Sequence, residues 1–396
     1  MSEIKKQLKK ELTIELDSIL KYWSENTIDK NNGGFIGQID YNENHVATAE
    51  KGSVLHARIL WTFSAAYQTT KNTEHKIIAD RAFEFLTSYF YDNDFGGLFW
   101  SITADKKPKD TKNQIYALAF AIYGLSEYYV ISQNEKALEI AKKLYFQIQK
   151  HSYDPVNKGY LEAFTRTWQP IDDLRLSDKD ANEKKTMNTH LHIVEAYANL
   201  YKVWKDDQLQ KVIVELLTTI EERFVNTETG HLRLFFNENW IEKPDVISYG
   251  HDIEAAWLLQ QCAAISEDKT LIENYAKHAI QMADVTQEGI DIDGGLWYEF
   301  DPKENELITE KHWWVQAEAL IGFYNAYQLT DDEKYLNLAL DSWSFIKKYI
   351  IDTKNGEWFW GIYNDYSLIE KDKAGFWKCP YHNSRACLEL IQRITN

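Results

Sequence analysis

The sequence GGLFWSI at residues 96–102 is one of six short glycine-led segments that are rich in aromatic residues. The other five are GGFIGQI (33–39), GYLEAF (159–164), GHLRLFF (230–236), GGLWYEF (294–300) and GEWFWGI (356–362). Their first glycines follow one another at steps of 63, 63, 71, 64 and 62 residues. Because self-similarity at a fixed period indicates a repeat architecture, the chain consists of six units, of which the third is enlarged.

Each glycine-led segment lies between two helical patterns of different character. The preceding helices are amphipathic and richer in Lys and Glu, and are predicted at 3–24, 75–91, 134–151, 208–224, 268–284 and 333–350. The following helices are strongly apolar, and are predicted at 52–70, 112–132, 187–204, 250–266, 312–329 and 381–394. A helix that is apolar on most sides is buried, whereas an amphipathic helix keeps one solvated face. The pattern therefore predicts two concentric rings of helices.

We therefore expect an all-α protein, an (α/α)6 barrel of six inner and six outer helices. Alternating large residues within the glycine-led segments predict short β-hairpins at one end of the barrel. Ring closure buries each repeat against its neighbours and removes the need for capping repeats. No linker-like stretch interrupts the period, so residues 1–396 are predicted to form a single catalytic domain with its site on the barrel axis.

Bulk composition excludes several classes of partner. The chain has 44 Lys and Arg against 61 Asp and Glu, a net charge of −17, which disfavours nucleic acid and anionic membranes. Its three cysteines have neither zinc-site nor disulfide-framework spacing. Charges interrupt the N-terminal helix and no segment reaches about 18 consecutive apolar residues, so we expect a soluble, cytoplasmic protein. The 14 Trp, 24 Tyr and 18 Phe suit a helical core and also stacking on sugars.

The inner helix of the third repeat carries polar groups on one face. In KTMNTHLHIVEAY, residues 185–197, side chains three or four positions apart share a face, which groups Asn188, His192 and Glu195. His190 lies about 200° around the helix from that stripe and is predicted to point elsewhere. An amide, an imidazole and a carboxylate on an otherwise apolar helix form a candidate wall of an active site, although a buried histidine satisfied by a neighbouring Glu has the same pattern.

The first turns of the six inner helices supply further candidates in matching positions. In chain order they are Arg58, Tyr116, Asn188 with His192, His251 with Glu254, Trp314 with Glu318, and His382. The separations of 59 and 131 residues between the three histidines are close to one and two repeat lengths. Equal positions in different repeats predict that His192, His251 and His382 converge on the axis.

The spacing H-x-x-E occurs at His192/Glu195 and at His251/Glu254. A carboxylate on the same face as an imidazole can accept a hydrogen bond from one ring nitrogen and raise the basicity of the other. Both pairs are therefore predicted to act as oriented bases. The alternative is a metal centre, since carboxylate and histidine motifs bind di-iron sites in helical bundles. The further carboxylates that such a centre needs are not evident, so no metal is expected.

Five segments together resemble the cellobiose 2-epimerase branch of the N-acylglucosamine 2-epimerase superfamily. They are RLSDKD (175–180), MNTHLHIVEAY (187–197), SYGHDIEAAWLL (248–259), KHWWVQAEAL (311–320) and FWKCPYHNSR (376–385). The resemblance implies an (α/α)6 barrel that converts a reducing-end glucose unit to mannose without metal, nucleotide or other cofactor. It implies a small sugar as partner (cellobiose, lactose, or mannose or glucose) and a monomer or weak homodimer.

The resemblance also implies roles for particular residues. His251 and His382 would be the acid/base pair at the sugar C2 atom, and His192 would assist ring opening. Asp180 would reach the second sugar ring. The residues implied to hold the reducing-end sugar are Arg58, Tyr116, Asn188, Glu254, Trp314, Glu318 and Trp377.

The chemistry of C2 inversion independently requires such a set. The C2 proton is acidic only beside a carbonyl, so the ring must open first, and the resulting enediolate needs donors such as Arg58. Alternatives within the superfamily are a mannose 2-epimerase, a mannose/fructose isomerase and an N-acylglucosamine 2-epimerase, and the RLSDKD segment favours the disaccharide branch. Outside it, a glycoside hydrolase would need two facing carboxylates, for which Glu254 and Glu318 are candidates. A non-catalytic sugar-binding protein would need fewer histidines.

Overall fold

A computed structural model describes residues 3–244 and 246–395. Its α-helices, numbered along the chain, alternate between an outer and an inner ring. The outer helices are α1 (Glu3–Asn26), α3 (Thr73–Phe85), α5 (Glu135–His151), α7 (Asp207–Arg223), α9 (Lys269–Thr286) and α11 (Glu333–Phe345). The inner helices are α2 (Ser53–Thr70), α4 (Ile115–Ser132), α6 (Met187–Val203), α8 (Tyr249–Ser266), α10 (Trp313–Thr330) and α12 (Tyr381–Thr395). The predicted (α/α)6 barrel is confirmed.

The inner helices form a closed ring in which each packs against the next and α12 packs against α2. Each outer helix packs on the inner helix that precedes it, and α1 packs on α12, so the two ends of the chain close the barrel. Buried hydrogen bonds cross this seam. The indole N–H of Trp358 donates to Glu15 (2.8 Å), and that of Trp23 donates to Glu357 (2.5 Å). The Glu357 carboxylate also accepts from the buried ammonium of Lys378 (2.6 Å).

Short strands lie between the outer and inner helices and join neighbouring repeats. They are β1 (Lys51–Gly52), β2 (Ser101–Ile102), β3 (Pro108–Asp110), β4 (Asn113–Gln114), β5 (Ala163–Phe164), β6 (Lys185–Thr186), β7 (Phe235–Phe236), β8 (Glu242–Lys243), β9 (Ile247–Ser248), β10 (Glu299–Asp301), β11 (Glu306–Ile308), β12 (Lys311–His312) and β13 (Gly361–Ile362). The strand before an inner helix pairs antiparallel with the strand at the end of the next glycine-led segment, as β1 does with β2. These ladders frame the end of the barrel at which the inner helices begin.

Buried lysines fix the turns before four of the glycine-led segments. Lys51 binds Asp29 (2.7 Å), and the equivalent pairs are Lys185–Asp154, Lys311–Asp291 and Lys373–Asp352. Lys51 and Lys185 also donate to a backbone carbonyl of the turn, at Gly33 and Lys158. Because a buried charge needs a partner and further hydrogen bonds, we assign these lysines a structural role.

The outer helices α3 and α11 end differently from the prediction. Each continues into a single π-helical stretch, Leu86–Phe90 and Ile346–Ile350 respectively. The predicted helices at 75–91 and 333–350 therefore each contain an α-helix and a π-helical end. Both stretches lead directly into the turn before a glycine-led segment.

Helix α4 is, among the described residues, the one helix whose length and composition would suit a membrane span. Of the 18 residues of α4, 72% are buried inside the barrel. Since α4 packs between α2 and α6, its position in the inner ring accounts for its apolar character.

Candidate active site

The candidate active site lies where the first turns of the inner helices meet. Arg58 comes from α2, Tyr116 from α4, His192 from α6, His251 from α8 and His382 from α12. The ring of Trp314 contacts those of His251 and His382, and Arg385 binds the two glutamates that contact His192 and His382. The structure therefore brings the three sequence-predicted histidines together. We call His192, His251 and His382, with the side chains that contact them, the hub.

His382 is held by a carboxylate of the neighbouring inner helix. Its Nδ1 lies 2.7 Å from Oε1 of Glu318, and both residues are buried. The same carboxylate accepts from Arg385 (2.6 Å) and from the indole N–H of Trp257 (2.9 Å), so it is an acceptor for the imidazole N–H as well. Burial lowers the pKa of His382 well below its usual value, although the charge of Glu254 opposes this shift. The arrangement leaves Nε2 of a neutral imidazole as a base.

His192 is held by the carboxylate three residues further along α6. Its Nδ1 lies 2.8 Å from Oε2 of Glu195, as the H-x-x-E spacing predicts. The other oxygen of Glu195 accepts from the hydroxyl of Tyr381 (2.6 Å) and from Arg385 (2.7 Å). Burial alone would raise the pKa of Glu195, but Arg385 and these hydrogen bonds outweigh it and lower the pKa to about 2. Glu195 is therefore a permanently ionised partner for His192.

His251 has a different partner from the one that its spacing predicts. Its Nδ1 lies 2.8 Å from the hydroxyl of Ser248, while Glu254 is bound by Arg385 at 2.6 Å. The prediction that Glu254 hydrogen-bonds His251 is wrong, because the guanidinium from α12 competes for that carboxylate. Burial lowers the pKa of His251, and the charge of Glu254 opposes this only partly. Its ring is partly accessible from a cavity that it lines.

Arg385 is the central buried cation of the hub, and the sequence analysis did not identify it. Its guanidinium donates to Glu195, Glu254 and Glu318, and its side chain is fully buried. It also donates to the hydroxyl of Tyr381. The available signal was weak: an arginine three residues after His382 on an apolar helix, within reach of three carboxylates that need a counter-charge.

Glu254, Glu318 and His382 present ligand atoms within 4.8 Å of one another, a geometry that could hold a metal ion. Arg385 donates to both of these carboxylates. A guanidinium there supplies the positive charge that a cation would otherwise bring, and it repels one. The donor set is therefore better suited to an internal ion-pair network than to a metal.

Arg58 and Asn188 have hydrogen-bonding capacity left over. Arg58 donates to the hydroxyl of Tyr116 (2.7 Å), and its guanidinium packs over the ring of Phe120 (4.1 Å). Its Nε–H and the side-chain carbonyl of Asn188 have no hydrogen-bond partner among residues 3–244 and 246–395. Because buried polar groups are normally satisfied, both atoms are candidates to contact a substrate.

Two tryptophans contact residues of the hub. The ring centroid of Trp314 lies 5.0 Å from that of His251 and 5.8 Å from that of His382, so one indole contacts both imidazoles. The ring of Trp377 packs against those of Tyr116 (6.1 Å) and Trp100 (5.8 Å). Aromatic faces at these positions can stack on the apolar face of a sugar ring.

Asp180 lies in the long loop of the enlarged third repeat. Its carboxylate accepts from the backbone N–H and the hydroxyl of Ser177 (2.7 and 2.9 Å), which orders the RLSDKD turn. Asp180 lines the same cavity as His251 and Asn188, together with Arg175 and Glu162. Glu162 was not identified from the sequence, and burial raises its pKa to about 8. The loop therefore forms one wall of the cavity beside the hub.

His190 supports the scaffold rather than the hub, as predicted. Its Nδ1–H donates to the carbonyl of Thr186 (2.6 Å), and its Nε2 accepts the backbone N–H of Tyr160 (2.9 Å). His56 makes the equivalent contacts in the first repeat, with Gly52 and Phe35. Histidines of this type anchor the glycine-led segments to the inner helices.

The hub of this (α/α)6 barrel combines three imidazoles with two tryptophans, and such groups can transfer protons on a sugar stacked against them. Residues 34–386 match the N-acylglucosamine 2-epimerase (GlcNAc 2-epimerase) family. The chain therefore belongs to this family, and it is a carbohydrate epimerase of the isomerase class.

Similar proteins match over their whole length. A cellobiose 2-epimerase of Bacteroides fragilis is 47% identical over 393 residues, which cover 99% of this chain and 100% of the relative. A cellobiose 2-epimerase of Ruminococcus albus is 38% identical over 389 residues, 98% of each chain. The solved structure of cellobiose 2-epimerase from Bacillus thermoamylovorans has a TM-score of 0.93 at 38% identity, covering 98% of this chain and 100% of that one.

Proposed function

We propose that the protein inverts C2 of the reducing-end glucose of β-1,4-linked disaccharides, converting cellobiose to glucosyl-mannose and lactose to epilactose. The observation that carries the proposal is the convergence of His251 and His382 on one indole, that of Trp314. Two bases that contact the indole on which the sugar would stack can exchange protons with the two faces of a single carbon. The cellobiose 2-epimerases to which this chain is similar support the choice of a disaccharide.

Ring opening comes first, because the C2 proton becomes acidic only when C1 is a carbonyl. His192 is suited to this step, since Glu195 fixes its Nδ1–H and leaves Nε2 to take the proton of the anomeric hydroxyl and give it to the ring oxygen as the C1–O5 bond breaks and the C1 carbonyl forms. The hydrogen bonds of Tyr381 and Arg385 to Glu195 hold that carboxylate in place.

Inversion then takes two proton transfers. One imidazole removes the C2 proton through Nε2, and the C–H electron pair forms the C1–C2 double bond of an enediolate. The other imidazole, already protonated, gives its Nε2 proton to C2 from the opposite face, and the double-bond pair forms the new C–H bond. Charge develops on the C1 oxygen between these steps, where the unpaired Nε–H of Arg58 is suited to donate.

The second sugar would lie toward the loop that contains Asp180. This loop and His251 line one cavity. A carboxylate held by Ser177 is suited to bind sugar hydroxyls. The position of the loop beside the hub is therefore the structural reason to prefer a disaccharide over a monosaccharide.

Incubation with lactose in buffer without added metal or nucleotide tests the proposal, with products identified by NMR. We expect epilactose from the wild type and none from His251→Ala or His382→Ala. His45→Ala is the matched control, since His45 is exposed and outside the hub. Free glucose and galactose would indicate a hydrolase, and fructose formed from mannose with lactose unchanged would indicate the mannose isomerase alternative. Either result would overturn the proposal.

A further inference from the structure

Ser248 occupies the last position of β9, immediately before α8, and its hydroxyl lies 2.8 Å from Nδ1 of His251. The residue is buried, and its backbone pairs with Glu299 of β10. The strand pairing fixes the backbone, so the hydroxyl is held at a set place relative to the imidazole.

Ser248 is also the N-cap residue of α8, yet it makes no capping bond. A serine at this position normally accepts a hydrogen bond from a backbone N–H of the first turn. Thr186 does so at the start of α6, accepting from the N–H of Thr189 (3.2 Å), but the Ser248 side chain accepts none from α8. Its hydroxyl contacts His251 instead, which is a departure from the usual structural use of this residue.

The partner of His251 also differs in charge from the partners of the other two imidazoles. Nδ1 of His192 and Nδ1 of His382 each meet a glutamate. A hydroxyl can orient an imidazole without adding a charge, because it accepts an N–H and remains neutral.

The charged and titratable groups that act on His251 come from three places. Glu254 and Asp252 belong to α8, His192 belongs to α6, and Asp180 belongs to the cavity loop. Glu254 is bound by Arg385, and Asp252 is bound by His231 (2.7 Å). Ser248 is therefore the group that contacts Nδ1 of His251 directly.

We propose that Ser248 is the positioning residue of His251, accepting its Nδ1–H and so directing the lone pair of a neutral Nε2 toward C2. The inference rests on the proposed C2 epimerisation and adds a residue to it. His251 then differs from His382 in having a neutral partner at Nδ1, a hydroxyl in place of a carboxylate. The two bases of the pair are chemically unequal.

Ser248→Ala tests the proposal, with Ser248→Thr as the conservative variant that keeps the hydroxyl. We expect Ser248→Ala to lower kcat for lactose about 5- to 10-fold, the effect of losing one neutral hydrogen bond, with KM changed less than twofold. Ser248→Thr should recover most of kcat. The midpoint of thermal unfolding should stay within about 1 °C in both variants, because no capping bond is lost.

A readout independent of turnover is the ¹⁵N NMR spectrum of the protein labelled at histidine. In the wild type, neutral His251 should be mainly the Nδ1–H tautomer, and Ser248→Ala should shift it toward the Nε2–H tautomer. Unchanged His251 resonances with wild-type kcat would overturn the proposal. Loss of kcat together with a lower unfolding midpoint and no recovery in Ser248→Thr would also overturn it, since Ser248 would then be structural. A wild-type protein that leaves lactose unchanged contradicts the proposed function, whereas the NMR result still decides the contact.

Discussion

Replacement of Glu15 by Gln should stabilise the barrel at alkaline pH but not at acidic pH. Glu15 lies on α1 in the seam that closes the ring, where its carboxylate accepts from Trp358 and lies near the carboxylate of Glu357. Burial, and to a smaller extent the charge of Glu357, raise its pKa from about 4.5 to about 7, although the bond from Trp358 opposes the shift. The folded state therefore binds a proton more tightly than the unfolded state.

The sign and size of the effect follow from that shift. A raised carboxyl pKa does not change the free energy of unfolding while the group is protonated in both the folded and the unfolded state. It lowers that free energy progressively as the pH rises from the unfolded-state pKa to the folded-state pKa. One pKa unit corresponds to about 1.4 kcal/mol, so at pH 8 the ionised Glu15 destabilises the fold by roughly 3 kcal/mol. A glutamine keeps the acceptor for Trp358 and removes this pH-dependent cost.

Thermal unfolding at pH 5 and at pH 8 measures the effect. An unfolding entropy of about 2.1 cal/mol/K per residue makes 3 kcal/mol equivalent to a shift of roughly 4 °C for a chain of this length. Because the unfolded state is already partly ionised at pH 5, where the cost is about 1 kcal/mol, we expect the midpoint of Glu15→Gln, relative to wild type, to be about 3 °C higher at pH 8 than it is at pH 5. Glu25→Gln, at an exposed position of the same helix, is the control and should show no such difference. A Glu15→Gln shift that is equal at both pH values would refute the reasoning.

Three further predictions concern the active site. Glu318→Gln removes the charged acceptor of His382. Because a hydrogen bond to a charged group contributes roughly 1.5–3 kcal/mol, we expect kcat to fall about 10- to 100-fold while KM stays nearly unchanged. Steady-state kinetics measures both quantities. Asp180→Ala should raise KM for lactose severalfold, since the carboxylate lines the cavity in which we propose that the second sugar binds, while KM for mannose stays constant. Equal changes for both sugars would contradict this. Overnight dialysis against EDTA should leave the rate of lactose conversion unchanged, because Arg385 supplies the positive charge of the hub; a loss that added metal restores would contradict it.

The architecture was predictable because two independent signals agree. The glycine-led repeat gives the number of units, and the apolar helices give the inner ring. The bounds of all six inner helices were predicted to within three residues, as for α4, predicted at 112–132 and observed at Ile115–Ser132. Helices that are apolar on most sides can lie only in the interior, so this part of the fold leaves few alternatives.

The hydrogen-bond partners at the hub were only partly predictable. His192/Glu195 and His251/Glu254 have the same spacing, yet only the first pair forms a hydrogen bond. Spacing along one helix shows which side chains share a face, but a third group can take one of them. Here Arg385, on another helix, binds Glu254. Contacts of this kind depend on how the helices pack together, and the spacing of residues within one helix does not predict that packing.

In the proposed mechanism, two imidazoles exchange protons with opposite faces of one carbon. The most direct measurement is NMR of lactose turned over by the wild type in deuterated water, read during the first turnovers. We predict that newly formed epilactose carries deuterium at C2, because the base that delivers the second proton has equilibrated with solvent before the reaction. Epilactose that retains the original C2 hydrogen would mean that one base removes and returns the same proton, and it would contradict the account.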